Sequence, residues 1–325
     1  MKNKKKIIFL VVGNQRLGTG HIYRSIIYRK ELASLGFICH TFYQKGDDLV
    51  NEIYKEHSLS SDQVDYLTDK QVRESKDNVY ILDILDTSVD FIKAIKKHNT
   101  VITFEDLGPG SEYSDLVINA LYKQKKITKN HYYGHKYVEL RDEFQDTKYT
   151  INETIKNILI TFGGTDPTNS TYIVLNAIYE FCKSNNITIN VVNGPGYQYI
   201  DSLNDFPDIN IKFNVDNMAR IMMENDIAFC SAGRTIYELA SIGVPSIVLT
   251  HNERENHHLF ATQEYGFINL GLSNKVNEKE ILNTYLQLAD NYNLRKHISN
   301  IMLEHNLKSG KERVTKLILK TINEE

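Results

Sequence analysis

The sequence predicts an α/β protein made of two doubly wound halves, each a parallel sheet with helices on both faces. Short apolar runs alternate with helical patterns along most of the chain, which is typical of parallel sheets. The alternation breaks down at 122–150, a polar stretch rich in lysine and tyrosine, and then restarts. A chain of 325 residues is also long for a single core. We therefore expect two domains, at 1–150 and 151–325, with 122–150 as the linker region between them.

Apolar runs indicate five strands in the first domain, and helical patterns lie between the first four. The first helix has apolar residues roughly in register from 22 to 35, and it ends at Gly36, a residue type that commonly terminates helices. The predicted strands are 7–12, 37–43, 79–85, 101–104 and 116–121, and the further helices are 47–57 and 90–98.

The second domain repeats this pattern. Asp216 is predicted to cap a helix that runs to 224, and another helix starts at about Asn256. The stretch 278–323 is mostly helical and can cross back to the first domain. Ligands of doubly wound sheets bind at the carboxyl ends of the strands, so we expect the loops at those ends to face one cleft. The predicted strands are 158–162, 187–192, 209–213, 227–230 and 246–250.

A glycine-rich loop follows the first strand and leads into the first helix. It contains Gly18, Thr19 and Gly20, and His21 lies where the helix begins. Glycine lets the backbone approach a ligand closely, a helix start offers N–H groups to an anion, and histidine can transfer protons near neutral pH. Taken alone, the loop is equally typical of a tight turn, because it matches neither a dinucleotide motif nor a P-loop.

Two loops of the same kind in the second domain favour a binding site. Each supplies N–H groups, hydroxyls and a helix start, which together suit a pyrophosphate. Glu238, one turn beyond the second loop, is placed to accept both hydroxyls of a ribose, although the helix dipole alone also favours a glutamate there. The loop residues are Gly163, Gly164, Thr165, Ser231, Ala232, Gly233, Arg234 and Thr235.

Composition excludes several classes of protein. A formal net charge of −3 lacks the basic character of a nucleic-acid-binding domain, so we expect no nucleic-acid partner. No stretch approaches the length of a transmembrane segment. Cys39, Cys182 and Cys230 lie in or beside apolar runs, which fits buried thiols in a reducing cytoplasm. We therefore expect a cytoplasmic protein, and we predict no cofactor.

Two further groups of polar residues have competing interpretations. His251, His257 and His258 cluster near a strand end, but the HEXXH motif is absent, so we predict a polar loop beside the nucleotide and no metal. Asp83 and Asp86 end a strand. They are either an acid/base pair or polar residues before the next helix, which Asp86 or Ser88 would cap.

The ordered set of motifs resembles one family. GTGH at 18–21, FGGTDP at 162–167 and SAGRTIYELASIGVPSIVL at 231–249 are similar to the sugar-nucleotide hydrolases of the pseudaminic acid pathway (PseG type) and the related spore-coat polysaccharide proteins (SpsG type). The likeness covers nearly the whole chain. It implies the MurG-like GT-B fold, with two Rossmann-like domains that face a central cleft. Segments similar to the spore-coat branch lie at 83–87, 104–108 and 137–144.

The resemblance implies a role for each motif. His21 would be the base that activates water for attack at the anomeric carbon of a UDP-linked diacetamido-trideoxy sugar, and UDP would leave with inversion and without a metal. Gly18, Thr19 and Gly20 would line the sugar and phosphate side, and Glu238 would hold the ribose. Arg234 stands where relatives commonly carry glycine, and it either grips phosphate or points to solvent. The other residues implied at the site are Asp106, as a second catalytic candidate, Asn119 in the sugar pocket and Asn256 near the donor.

Three functions remain open from the sequence. The leading one is a hydrolase of nonulosonic acid or surface polysaccharide synthesis that takes a UDP-sugar, with a CMP-sugar as the alternative. The second is a glycosyltransferase in which His21 deprotonates an acceptor hydroxyl. The third is a non-catalytic nucleotide-sugar-binding partner of a cytidylyltransferase, an enzyme to which some relatives are fused; the intact GTGH motif argues against it.

Overall fold

A computed structural model describes residues 5–14, 17–65, 75–122 and 129–323. Contacts divide the chain into two compact units. The first consists of Met1–Glu139 and Ser309–Glu325, and the second of Leu140–Lys308. Residues 140–150 therefore group with the second unit, and the last helical stretch returns to the first.

The first unit is built on a seven-stranded sheet with the strand order β3-β2-β1-β4-β5-β6-β7, in which all neighbouring strands are parallel. Its strands are β1 (Lys6–Val11), β2 (Cys39–Gln44), β3 (Asp62–Val64), β4 (Asn78–Asp83), β5 (Thr100–Phe104), β6 (Leu116–Asn119) and β7 (His131–Tyr133). Helices α1 (Gly20–Ser34), α2 (Asp48–Glu56) and α3 (Val89–Lys96) connect them.

The centre of this sheet is formed by β1 and β4. Both strands are almost entirely buried, as expected of parallel strands covered on both faces, whose sequences form continuous apolar runs. The winding of the chain reverses between them, and the last residues of the two strands, Val11 and Asp83, are paired in register. A reversal of this kind leaves a crevice at the carboxyl ends of the two strands, where ligands of such sheets bind.

Two strands of the first sheet were not predicted. Both β3 and β7 are only three residues long and lack an apolar run, so the hydrophobic pattern gives no signal for them. The stretch 122–150 is therefore more than a linker, because it contains β7. Tyr132 and Tyr137 from this stretch also pack against the core of the first unit.

The second unit repeats the architecture with a six-stranded parallel sheet in the order β10-β9-β8-β11-β12-β13. Here the winding reverses between β8 and β11. The strands are β8 (Asn157–Thr161), β9 (Thr188–Asn193), β10 (Asn210–Phe213), β11 (Ile227–Cys230), β12 (Ser246–Thr250) and β13 (Phe267–Leu272). The helices are α4 (Ser170–Ser184), α5 (Met218–Met223), α6 (Thr235–Ile242), α7 (Glu253–Asn256), α8 (Glu278–Ala289) and α9 (Tyr292–Glu304).

Two helix starts differ from the predictions. Asn217 rather than Asp216 caps α5, since its Oδ1 accepts a hydrogen bond from the Arg220 N–H at 2.8 Å. The helix predicted to start at about Asn256 is the short α7, which ends there and is capped by Asn252.

A final helix, α10 (Gly310–Asn323), completes the core of the first unit with Val314, Ile318 and Ile322. Gly310 packs so closely that a Cβ atom there would lie 1.7 Å from the Val138 carbonyl oxygen, so only glycine fits. Within the described ranges, none of the helices is long and apolar enough to cross a membrane.

Candidate active site

His21 lies at the carboxyl end of the first sheet, at the point where the winding reverses. It is the second residue of α1, and its Nδ1 is hydrogen-bonded to Oδ1 of Asp83, the last residue of β4. The side chain of His21 is 12% exposed and that of Asp83 is 1% exposed. The contact follows from the strand order, because β1, which leads into the loop before His21, is the neighbour of β4.

Arg24, one turn further along α1, binds the same carboxylate with two hydrogen bonds. Its Nε donates to Asp83 Oδ2 at 2.7 Å and its Nη2 donates to Oδ1 at 2.6 Å. Nη2 also lies 3.3 Å from His21 Nδ1. On its other side, Nη1 lies 3.4 Å from Glu105 Oε1. The guanidinium is thus held between two acidic side chains, and all three are nearly inaccessible to solvent.

These contacts set the charges of the group. Burial by itself would raise the pKa of Asp83, but the charges of Arg24 and His21 outweigh it and hold that pKa at about 2. Burial lowers the pKa of Arg24, whereas Asp83 and Glu105 raise it by more, so the guanidinium stays charged. Burial raises the pKa of Glu105 to about 7, although Arg24 and the N–H groups of residues 120 and 121 favour its anion.

This arrangement can act as a base. An ionised carboxylate only accepts hydrogen bonds, so the Nδ1 that faces Asp83 carries the proton. In a neutral imidazole Nε2 is then the basic nitrogen, and a carboxylate behind Nδ1 stabilises the imidazolium that forms when Nε2 takes a proton. His21 was predicted from the sequence, whereas the contribution of Asp83 was left open and that of Arg24 was missed.

The loop before His21 is fixed by its own backbone and by one aspartate. Gly18 has φ +79°, a left-handed value that favours glycine, and its N–H donates to the Asn14 carbonyl at 2.9 Å. Asp47 accepts hydrogen bonds from the Gly13 N–H at 3.2 Å and from Asn14 Nδ2 at 2.8 Å. Gly18, Thr19 and Gly20 directly precede His21, and Thr19 is buried.

Asp106 and Asn119 lie at the same edge of the sheet, but their contacts serve the loop that follows β5. The Asp106 carboxylate accepts hydrogen bonds from Thr87 N at 3.0 Å, Thr87 Oγ1 at 2.6 Å and Gly108 N at 2.8 Å. Burial raises its pKa, and those hydrogen bonds oppose the shift. Asn119 Nδ2 donates to the Asp106 carbonyl at 3.3 Å, while its buried Oδ1 has no partner among the described residues.

In the second unit, Gly163, Gly164 and Thr165 follow β8, and Gly164 packs against the turn after β9. Gly163 has φ +79°. A Cβ on Gly194 would lie 2.4 Å from the Gly164 Cα, and the Gly196 N–H donates to the Gly164 carbonyl at 2.9 Å. Glycine is therefore required in both segments for different reasons, by the backbone angle at Gly163 in the loop after β8 and by close approach at Gly194 in the turn after β9.

The loop from Ser231 to Arg234 follows β11, the neighbour of β8, and opens α6 at Thr235. Ser231 and Ala232 are buried, whereas Gly233, Arg234 and Thr235 are partly exposed. No side chain caps α6, and within its first turn the Tyr237 N–H donates to the Arg234 carbonyl at 3.0 Å. The Ala232 N–H of the preceding loop donates to Glu255. Glu255 also accepts the His251 N–H at 2.9 Å, and burial raises the pKa of this carboxyl.

Glu238 lies one turn into α6, where it is bound by Arg141, a contact that was not predicted. Arg141 donates from Nη2 at 3.0 Å and from Nε at 3.2 Å, both to Glu238 Oε1. Arg141 is also 3.4 Å from Glu143. Both hydrogen bonds from Arg141 go to the same oxygen of the Glu238 carboxylate.

The remaining predicted residues lie around β12 and α7. Asn256 is exposed at the end of α7. His251 contacts Thr168 Oγ1 through Nδ1 at 2.8 Å and the Phe162 carbonyl through Nε2 at 3.3 Å. His258 is buried, and burial lowers its pKa to about 3, so its imidazole is neutral. Within the described ranges, no three His, Cys, Asp or Glu side chains are grouped so that they could hold a metal ion.

The chain is similar to three curated proteins described here, and no protein-family model matches it. An uncharacterized protein of Methanocaldococcus jannaschii is 34% identical over 275 residues, which cover 76% of this chain and only 56% of that protein. The spore coat polysaccharide biosynthesis protein SpsG of Bacillus subtilis is 25% identical over 304 residues, 87% of this chain and 88% of SpsG. The UDP-2,4-diacetamido-2,4,6-trideoxy-beta-L-altropyranose hydrolase of Campylobacter jejuni is 25% identical over 249 residues, 72% of this chain and 87% of that enzyme.

Solved structures confirm the predicted fold. MurG of Acinetobacter baumannii superimposes with a TM-score of 0.66 at 15% identity, covering 97% of this chain and 99% of MurG. MnaA of S. aureus, solved with UDP, gives a TM-score of 0.64 at 12% identity over 98% of this chain and 97% of MnaA. The calicheamicin glycosyltransferase CalG4 gives 0.61 at 12% identity, with 98% and 99% of the two chains covered. The two parallel sheets are those of this architecture.

Proposed function

Because the chain is a relative of the SpsG- and PseG-type proteins and has the GT-B fold, we propose that it hydrolyses a nucleotide-activated sugar. Water attacks the anomeric carbon, and free sugar and nucleoside diphosphate are released. The proposed substrate is a UDP-sugar of the diacetamido-trideoxy class, and the proposed setting is the synthesis of a nonulosonic acid or a surface polysaccharide.

One observation carries the proposal: His21 is tied to the ionised Asp83 through Nδ1. In this reaction Nε2 takes a proton from the attacking water, and the carboxylate stabilises the imidazolium that results. Asp106 is assigned a structural part in the proposal, because its carboxylate is already occupied by Thr87 and Gly108.

The second unit has the features that the leaving nucleotide requires. The uncapped start of α6 and the glycine loop after β8 offer N–H groups to the diphosphate, and charge stabilisation there helps UDP to depart. Arg141 orients Glu238 so that its second carboxylate oxygen can accept from the ribose hydroxyls.

The test uses phosphorus NMR in oxygen-18-labelled water without an acceptor. The panel contains the UDP-diacetamido-trideoxy sugar that the Campylobacter jejuni enzyme is named for, UDP-N-acetylglucosamine and a CMP-sugar. We expect unlabelled nucleotide and label in the free sugar, which shows C–O cleavage by water. His21→Asn is expected to lower kcat by about 100-fold or more, because general-base catalysis contributes that much. His98→Asn, a change at an exposed histidine of the first unit, is the matched control.

Three other results would contradict the proposal or the role of His21 in it. Turnover that requires an acceptor hydroxyl would make the protein a glycosyltransferase, the alternative that the likeness to MurG and CalG4 supports. Tight UDP binding with no turnover of any donor would indicate a nucleotide-sugar-binding partner. Full hydrolysis by His21→Asn would remove His21 from the role of base.

A further inference from the structure

We propose that Arg24 and Glu105 are positioning residues, a buried charge pair that fixes the carboxylate behind His21. The inference rests on the proposed function, since it concerns the same base. Neither residue is placed to touch the substrate, because both are almost completely buried behind Asp83. Both residues act indirectly, through the orientation and the charge of Asp83 and His21.

Arg24 binds both oxygens of the Asp83 carboxylate. Its Nε and Nη2 donate to different oxygens of Asp83, at 2.7 and 2.6 Å, which fixes the plane of the carboxylate as well as its position. The oxygen that Nη2 binds, Oδ1, is the one that faces His21 Nδ1. A lysine supplies the same charge from a single point and cannot fix that plane.

Glu105 contacts Arg24 on the side of the guanidinium that faces away from Asp83. It follows β5 with φ +50°, and its Oε1 accepts the Ala120 N–H at 2.9 Å, so the neighbouring strand end fixes the carboxyl. The guanidinium lies over the Phe104 ring at 5.2 Å. Arg24 therefore contacts a fixed group on three sides: Asp83, Glu105 and the ring.

The charged and titratable groups that face Arg24 come from four parts of the first unit. They are Asp83 at the end of β4, Glu105 after β5, His21 on α1 and Glu139, whose charge also acts on Arg24. Glu139 is buried and accepts from Tyr28 at 3.4 Å. Nη2 lies only 3.3 Å from His21 Nδ1, so the guanidinium contacts both members of the His21–Asp83 pair.

The test compares Arg24→Lys with Arg29→Lys in the full-length protein. Arg29 is the matched control because it is also buried on α1, but it binds Thr41 and Ser60 away from the site. Nitrogen-15 NMR of the imidazoles, with the His21 signal identified by its loss in His21→Asn, reports which ring nitrogen carries the proton. Hydrolysis of the same nucleotide-sugar panel gives kcat and KM as a function of pH.

We expect His21 to be protonated at Nδ1 in the wild type and in Arg29→Lys, and to show mixed tautomers in Arg24→Lys. We also expect kcat of Arg24→Lys to fall by about 100-fold, with KM little changed. An unaltered Nδ1–H signal in Arg24→Lys would overturn the proposal. If the wild type hydrolyses no donor, the proposed function fails, yet the tautomer measurement still decides the positioning role.

Glu105→Gln provides a second test if Arg24→Lys does not fold. The glutamine keeps an oxygen for the Ala120 N–H but removes the negative charge behind Arg24. At pH 8 the Glu105 carboxyl of the wild type is mostly ionised, so the substitution leaves the guanidinium charge less balanced, and we expect a smaller share of His21 to carry its proton at Nδ1 in nitrogen-15 NMR at that pH. An unaltered Nδ1–H signal at pH 8 would show that Glu105 is not coupled to the base.

Discussion

Glu105 makes stability depend on pH in a predictable direction. Its pKa is raised from 4.5 to about 7, mainly by burial, so the folded state holds a proton that the unfolded state has lost between those values. The stabilisation is fully present below pH 4.5 and is lost as the pH rises through about 7. The size of the shift corresponds to about 3 kcal/mol of unfolding free energy.

Glu105→Gln should therefore gain stability relative to the wild type as the pH rises. Urea unfolding at pH 5 and pH 8 measures this, and the difference between variant and wild type should move in favour of the variant by about 2 to 3 kcal/mol. Asp86→Asn, a change at an exposed carboxylate in the same unit, is the control. An identical difference at both pH values would mean that Glu105 titrates normally.

Single residues of the site were predictable only where local sequence determines their role. His21 stands out because a glycine loop joins a strand to its helix, and this pattern lies within a few residues. Asp83 lies 62 positions away, and its contact depends on which strands are neighbours. The strand order common to doubly wound sheets puts β1 beside β4, and this order brings Asp83, at the carboxyl end of β4, next to the loop after β1. The contact of Arg141 with Glu238 spans 97 positions and has no local signal at all.

At the scale of elements, the glycine loop after β8 and the turn after β9 are in direct backbone contact. Gly194→Ala places a Cβ 2.4 Å from the Gly164 Cα, so the backbone of the loop after β8 or of the turn after β9 must move. We expect UDP affinity to fall by about tenfold or more, a loss of about 1.4 kcal/mol, measured by calorimetry. Gly46→Ala is the control, because glycine there has φ +95° with open space around it and carries only backbone strain. Unchanged UDP affinity in Gly194→Ala would remove the loop from the nucleotide site.

Most elements could be predicted because strands buried on both faces form continuous apolar runs. The predicted strands at 7–12, 79–85 and 227–230 match β1, β4 and β11 to within two residues at either end. The short edge strands β3 and β7 were not predicted. Each has three residues at an edge of the sheet and can form without an apolar run, so the hydrophobic pattern does not mark it.

At the scale of the molecule, the last helix is part of the core of the first unit. Ile318→Ala removes a fully buried side chain of α10 and should destabilise that unit by about 2 to 5 kcal/mol. Leu303→Ala, at a side chain that is 48% exposed on α9, should cost far less. Hydrogen exchange measures the effect strand by strand, and we expect faster exchange in β1 and β5 for Ile318→Ala. Faster exchange confined to the second sheet would contradict the assignment of α10.

The return of α10 to the first unit has a consequence for the order in which the protein forms on the ribosome. Residues 1–139 emerge first, but Val314, Ile318 and Ile322 are still to be translated. All of Leu140–Lys308 is synthesised in between, which takes on the order of 10 s. During that interval the early unit exposes the apolar surface that α10 will cover. The second unit is contiguous in the chain, so all of its strands are synthesised before α10 is. The second unit can therefore reach its native state before the first unit does.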